Sequence, residues 1–114
     1  MQVSEIVAAL PVRVAAGADH LDNEVTGGYA SDLLSCVMAG AQKGNVWVTL
    51  QAHMNVIAVA ALLELACVII TEGASLDDEA LARADQRGVV VLSTDQGSFA
   101  TVAQLAGMGV PGNA

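Results

Sequence analysis

Aromatic side chains are nearly missing from this sequence. They make up 3% of it, and only Tyr29, Trp47 and Phe99 could stack on a ring. That scarcity argues against nucleic-acid or sugar binding built on stacking. Cations are almost as rare. Four Lys and Arg residues stand against twelve Asp and Glu, a formal net charge of −8, and Lys43 is the only lysine. Such a chain cannot neutralise a phosphate backbone, so DNA and RNA are not expected as partners. Anionic membrane surfaces repel it for the same reason. The charge is read simply as a source of solubility.

Cysteine is scarce too. Cys36 and Cys67 lie far apart and form no C-x-x-C pair. The amino terminus, Met1-Gln2-Val3-Ser4-Glu5, has no basic region leading an apolar one, so no export signal is read. Both features predict a cytoplasmic protein whose thiols are reduced and buried as small hydrophobes. One apolar stretch, Met54 to Ile70, approaches the ~20 residues of a membrane span. Asn55 and Glu64 interrupt it, and Cys67-Val68-Ile69-Ile70-Thr71 changes to β-branched residues. A buried helix running into a buried strand accounts for both facts, and no membrane span is predicted.

What the chain has in plenty is Ala, Val, Leu and Ile. Hydrophobic residues form 54% of its 114 residues, enough for one domain with a single core. The strongest pattern is a repeat: Val46-Trp47-Val48-Thr49, Val68-Ile69-Ile70-Thr71 and Val90-Val91-Leu92-Ser93 align without gaps. Each is an apolar run ending in a hydroxyl residue and preceding a helical segment. Fully apolar runs suit strands buried on both faces, as in a parallel sheet covered by helices. The spacing is that of a βα unit, although periods in this range also occur in solenoids. The prediction is a layered α/β/α fold with a mostly parallel central sheet.

The helix between the second and third runs is the best specified. Asp77 can cap it, Leu76 can staple onto Leu81, acids occupy its first turn, Arg83 and Arg87 lie toward its end, and Gly88 stops it. Met54 to Leu65 reads as a central helix, apolar nearly all round and so sandwiched. Ser98 is expected to cap a last helix through Leu105, with a frayed tail from Gly107 to Ala114. Ser4 begins a short helix that Pro11 ends, Val12 to Val14 forms a strand, and Ser31 caps a helix from Asp32 to Met38. Asp19 to Glu24 reads as a polar, acidic loop.

Right-handed βα connections make the three repeat strands parallel, so Thr49, Thr71 and Ser93 should reach the same carboxyl edge of the sheet. Ligands usually bind at that edge in open α/β sheets. The residues that follow the strands are Gln51, His53 and Asn55, then Glu72 and Gly73, then Thr94, Asp95 and Gly97. With helix amino termini beside them, they suit a small anion or polar metabolite such as a nucleotide. The same residue types also cap helices and shape turns with no ligand at all, and a lone His is commonly structural. A second candidate is Val25-Thr26-Gly27-Gly28-Tyr29-Ala30-Ser31-Asp32. Gly27 and Gly28 permit a tight turn or close backbone approach, and Ser31 opens the helix that follows. A phosphate or carboxylate fits there.

Catalytic sets are harder to find. No Gly-Lys-Ser/Thr run exists, so phosphoryl transfer lacks its usual cation. His20, His53, Cys36 and Cys67 have no zinc-ligand spacing, and neither a metal nor a cofactor is expected. A Cys–His nucleophile pair stays open, because such partners meet in space rather than in sequence.

Val25 through Ala39 resembles the signature segment of DRTGG-domain proteins, although Val25-Thr26-Gly27-Gly28 lacks the Asp-Arg of the family's name. Asn45 to Gln51, with His53, Asn55 and Val56, resembles the family's next block. Val68 to Thr71 and Val91 to Thr94 resemble its later strands, so the likeness runs from about Val3 to Gly109. The resemblance implies a fold similar to the amino-terminal domain of HPr kinase/phosphorylase. Such domains accompany CBS pairs and pyrophosphatase modules or precede phosphotransacetylase, and tend to lie at dimer contacts. None has an established catalytic role, and stand-alone versions are sometimes associated with iron-only hydrogenase gene clusters.

The chain ends near the family domain's end, so it is expected to act through a ligand, a partner or itself. The leading expectation is a homodimeric regulatory module that senses a small ligand or docks onto a protein partner. A small chain of mean hydropathy +0.57 should hide more apolar surface than its own core can. Two alternatives are a phosphate- or acyl-handling enzyme using His53 and a structural subunit of a hydrogenase-associated redox complex.

Overall fold

The structure is a computed structural model that describes residues 1–113. Five strands and five α-helices follow one another as α1 (Val3–Ala9), β1 (Arg13–Ala16), β2 (Gly27–Ala30), α2 (Leu34–Gly40), β3 (Asn45–Thr49), α3 (Met54–Leu62), β4 (Cys67–Ile70), α4 (Asp78–Arg87), β5 (Val91–Ser93) and α5 (Ser98–Gly107). One sheet has the order β1-β5-β4-β3-β2. Strands β2 to β5 are parallel, and β1 joins the far edge antiparallel to β5. The expected layered, mostly parallel sheet is therefore present, and the three apolar repeats are its three central strands.

The repeats are buried throughout because both sheet faces are covered. Trp47, Val68 and Val91 lie in register and pack with Val37 of α2, Val56 and Ile57 of α3, and Ala80 and Ala84 of α4. On the opposite face Val46, Val48, Ile69 and Leu92 meet Val3 and Ile6 of α1 and Leu105 of α5. The apolar stretch from Met54 to Ile70 is α3, a turn and β4, and no helix among the described residues is long and apolar enough to cross a membrane.

Local signals place α4 as expected. Asp77 Oδ1 accepts the Ala80 N–H at 2.8 Å, and Gly88 closes the helix in the left-handed conformation. Other boundaries differ. Strand β2 was not expected: pairing with β3 draws Gly27 and Gly28 into an extended edge strand despite glycine's poor strand propensity. Helix α2 begins at Leu34 rather than Asp32, which turns Cys36 outward instead of into the core. Helix α3 stops at Leu62 and is covered on one side only, since Asn55, Ala58 and Leu62 are exposed. Ser98 is the first residue inside α5, and Gly97 holds the cap position without a side-chain bond.

The expected fray after Gly107 is also corrected. The Gly28 N–H donates to Pro111 O at 2.8 Å, and the Asn113 amide donates to Gly40 O at 3.0 Å and Asn45 Oδ1 at 2.6 Å. These bonds seat the tail along the outer edge of β2; Ala114 lies outside the described residues.

Candidate functional site

Strand register brings the predicted tips together. Thr49, Ile70 and Ser93 are neighbours across β3, β4 and β5, and Thr71 and Thr94 follow immediately. The repeat and the register differ by one residue at β4. Side chains alternate along a strand, so Thr49 and Ser93 face the α2–α4 side while Thr71 faces α5. The shared rim exists, but its hydroxyls do not converge.

Each of three threonines is already engaged. Thr49 Oγ1 donates to Asp32 Oδ1 at 2.8 Å and accepts the Gln51 N–H at 3.1 Å. Thr71 Oγ1 lies 2.6 Å from Ser98 Oγ and 3.3 Å from Thr49 O. With one proton per hydroxyl, Thr71 donates to the carbonyl and Ser98 donates to Thr71. Thr94 Oγ1 donates to Pro11 O at 2.9 Å and accepts the Gln96 N–H at 3.1 Å. Ser93 is buried between Ile70 and Arg13 of the neighbouring strands.

The residues expected to bind beside them form the frame of the loops. Gln51 Nε2 donates to Asp32 O at 3.0 Å. His53 Nδ1 accepts the Asn55 N–H at 3.1 Å and so serves as the cap of α3, an arrangement that requires Nδ1 to be unprotonated. Asn55 is exposed on the first turn of that helix. Glu72 Oε2 accepts the Ser98 N–H at 2.9 Å, and the Glu72 and Gly73 amides bond across to Gln96 and Thr94 carbonyls. Helices α4 and α5 leave β4 and β5 toward opposite faces, which opens a crevice in many sheets; here those bonds close it.

Electrostatics point the same way. Asp32 covers the Leu50 N–H at 2.9 Å, and Glu72 covers the start of α5. Donors that were expected to hold an anion already hold the protein's own carboxylates. Asp95 adds a further acid, 3.7 Å from Arg13 in an exposed pair.

Gly27 and Gly28 lie at the other end of the sheet. They pair with Asn45 and Val46 at the amino end of β3, not with the rim. A side chain at Gly27 would come within 3.0 Å of Pro111 O and 3.3 Å of Asn45 Nδ2 and Asn113 Oδ1. The close approach expected of these glycines is therefore to the protein's own tail. Ser31 sits at the rim, where its Oγ accepts the Leu33 N–H at 3.1 Å, so it shapes the turn before α2.

A cleft of about 550 Å³ opens at that amino edge, between the last turns of α3 and α4 and the starts of β2 and β3. Its lining includes Glu24, Thr26, Lys43, Glu64 and Arg87 over a floor of Ala60, Ala61, Leu65 and Val89. Thr26 Oγ1 donates to Lys43 O at 2.8 Å and accepts from Asn45 Nδ2 at 3.2 Å, fixing the turn that carries Lys43. Gly44 there has φ +80° and abuts Thr26, so a Cβ would come within 2.6 Å of Thr26 Cγ2. Lys43 Nζ meets Glu64 Oε2 at 3.0 Å across the mouth, and both are exposed. Sequence reasoning missed this site. Its one available signal was that half of the four cations precede strands here.

A model of the DRTGG domain family matches residues 5–108. The chain belongs to the DRTGG domain family. Among solved structures, this DRTGG domain is similar to the crystal structure of the CBS and DRTGG domains of the regulatory region of Clostridium perfringens pyrophosphatase, complexed with activator, diadenosine tetraphosphate. The two share 13% identity with a TM-score of 0.74, over 91% of this chain and 45% of that one. The DRTGG domain thus spans less than half of that regulatory region, and the likeness is one of fold. No curated protein matches it.

Proposed function

We propose that this DRTGG domain is a regulatory module that senses a small anionic metabolite of the nucleotide class and has no catalysis of its own. The observation that carries this reading is the internal use of the polar rim. Asp32, Thr49, Thr71, Thr94 and Ser98 bond to one another or to main chain, and His53 caps α3. No acid, base and nucleophile are left facing a common point in that set. The fold likeness to a regulatory region crystallised with diadenosine tetraphosphate supports a nucleotide as the ligand class.

The module is proposed to work as a homodimer in a reducing cytoplasm. Phe99 is 90% exposed, and Leu33, Leu50 and Val102 are also exposed, which supports burial against a second copy. Unbridged Cys36 and Cys67 support the compartment.

Isothermal titration and thermal-shift screens with mono- and dinucleotides and acyl phosphates test the sensing role. A ligand at 100-fold its Kd adds about 3 kcal/mol of stability, which raises the melting temperature by roughly 10 °C. If no metabolite shifts the transition, sensing is overturned and partner docking is left. Sedimentation at micromolar concentration tests the dimer, and a clean monomer refutes it.

A further inference from the structure

We infer that the ligand of this module binds in the amino-edge cleft, with its anionic group between Lys43 and Arg87 and a flat, largely apolar body on the alanine floor. This rests on the sensing role proposed above and gives it a place and a chemistry. The cleft lies at the opposite edge of the sheet from the rim that the βα pattern favours.

Size comes first. A volume of about 550 Å³ falls within the ~300–1,000 Å³ of small-molecule sites. Its floor is made of small apolar residues, Ala60 and Ala61 at the end of α3, beside Leu65 and Val89. None of these side chains offers a polar group, so the floor suits a ring face.

Charge comes second. In a chain of net charge −8 with four cations, two of the cations line this one cleft. Among the described residues Lys43 pairs with Glu64, in an exposed pair of the kind worth about 0–1 kcal/mol. An entering phosphate can therefore take over Lys43 at little loss, with Arg87 as a second donor. The two cations stand on separate elements, one on the turn before β3 and the other on the last turn of α4. A single anionic group between them would clasp both walls.

The third consideration selects against a bare ion. The carboxyl ends of α3 and α4 point toward this edge, and helix ends of that polarity disfavour negative charge. Glu24 and Glu64 add to the acceptors in the lining. A ligand that presents hydroxyl or amino donors as well as an anion satisfies both sets, as a nucleoside monophosphate does. Inorganic phosphate offers no donor group beyond its own P–OH.

Amide chemical shifts of the full chain titrated with adenosine monophosphate, adenosine and inorganic phosphate test the proposal. The largest shifts are expected at Gly44, Ala61, Glu64 and Gly88, with the monophosphate binding more tightly than either half. Lys43→Gln with Arg87→Gln should weaken the monophosphate roughly tenfold or more, through loss of two charge-assisted bonds. Gln51→Ala at the opposite rim should leave it unchanged. Shifts confined to Gln51, His53, Glu72 and Thr94 would overturn the location while keeping the sensing role. No shift with any of the three probes would remove a nucleotide-type ligand, and this assignment with it.

Discussion

Glu72 Oε2 accepts the main-chain N–H of Ser98 at 2.9 Å, so a carboxylate from the β4–α4 loop sits on the first turn of α5. The Glu72 backbone is left-handed, at φ +62°, which turns the side chain back across the loop. The interaction is a helix cap supplied from outside the helix, where Gly97 has no side chain to give. Glu72→Ala should cost about 1 kcal/mol, as loss of an N-cap does. Urea unfolding measures it, and an unchanged midpoint would mean that the carboxylate does not hold α5.

Asp32 makes the equivalent bond at β3. One carboxylate oxygen accepts both the Thr49 hydroxyl at 2.8 Å and the Leu50 N–H at 2.9 Å. Asp32→Ala would strand the buried Thr49 hydroxyl, a loss of about 1–3 kcal/mol. Asp32→Asn keeps an acceptor and should lose less. If both variants unfold like the wild type but bind a metabolite differently, Asp32 is a ligand contact rather than a structural one.

The strands were readable because tertiary structure and sequence pattern agree there. Val46 to Ser93 is buried on two faces wherever a strand runs, and apolar residues fill those positions. Helix α4 was readable because Asp77, Arg87 and Gly88 act within one turn of each helix end. Strand β2 was not, since Gly27 and Gly28 become extended only by pairing with β3 and the tail, contacts made across long sequence separations. The same holds for the rim. Thr49 and Thr71 were placed correctly at one edge, but a one-residue offset at β4 sends them to opposite faces, and no local signal encodes that offset. The amino-edge cleft is a hollow between helix ends, built from Ala and Gly, and such residues carry no motif.

The tail offers a further check. Asn113 bridges Gly40 O and Asn45 Oδ1, and Asn45 in turn bonds Thr26, so the last described residue is tied to the signature segment. Asn113→Ala should loosen the Pro111–Gly28 contact by about 1 kcal/mol, a several-fold rise in local opening. Hydrogen exchange at the Gly28 amide reads this directly. Exchange equal to the wild type's would show that Val110 and Pro111 hold the edge alone.

Cys67 gives the pH dependence. Burial in β4 pushes its thiol up from 9.0 to about 12, because a thiolate would be desolvated between the two helical layers. Below pH 9 both folded and unfolded forms keep the proton, and the residue has no effect on stability. Between the two values only the folded state keeps it, so stability falls as pH rises, with a limiting slope of about 1.4 kcal/mol per pH unit. Cys67→Ala should remove that part of the slope while lowering stability at neutral pH through the small cavity it leaves. The two proteins differ in this one titratable group, so the difference between the two slopes isolates the thiol. Thiol titration of the native protein should react exposed Cys36 first and Cys67 only on unfolding. Equal alkaline slopes in wild type and Cys67→Ala, or prompt labelling of both cysteines, would place the thiol in contact with water and overturn the buried assignment.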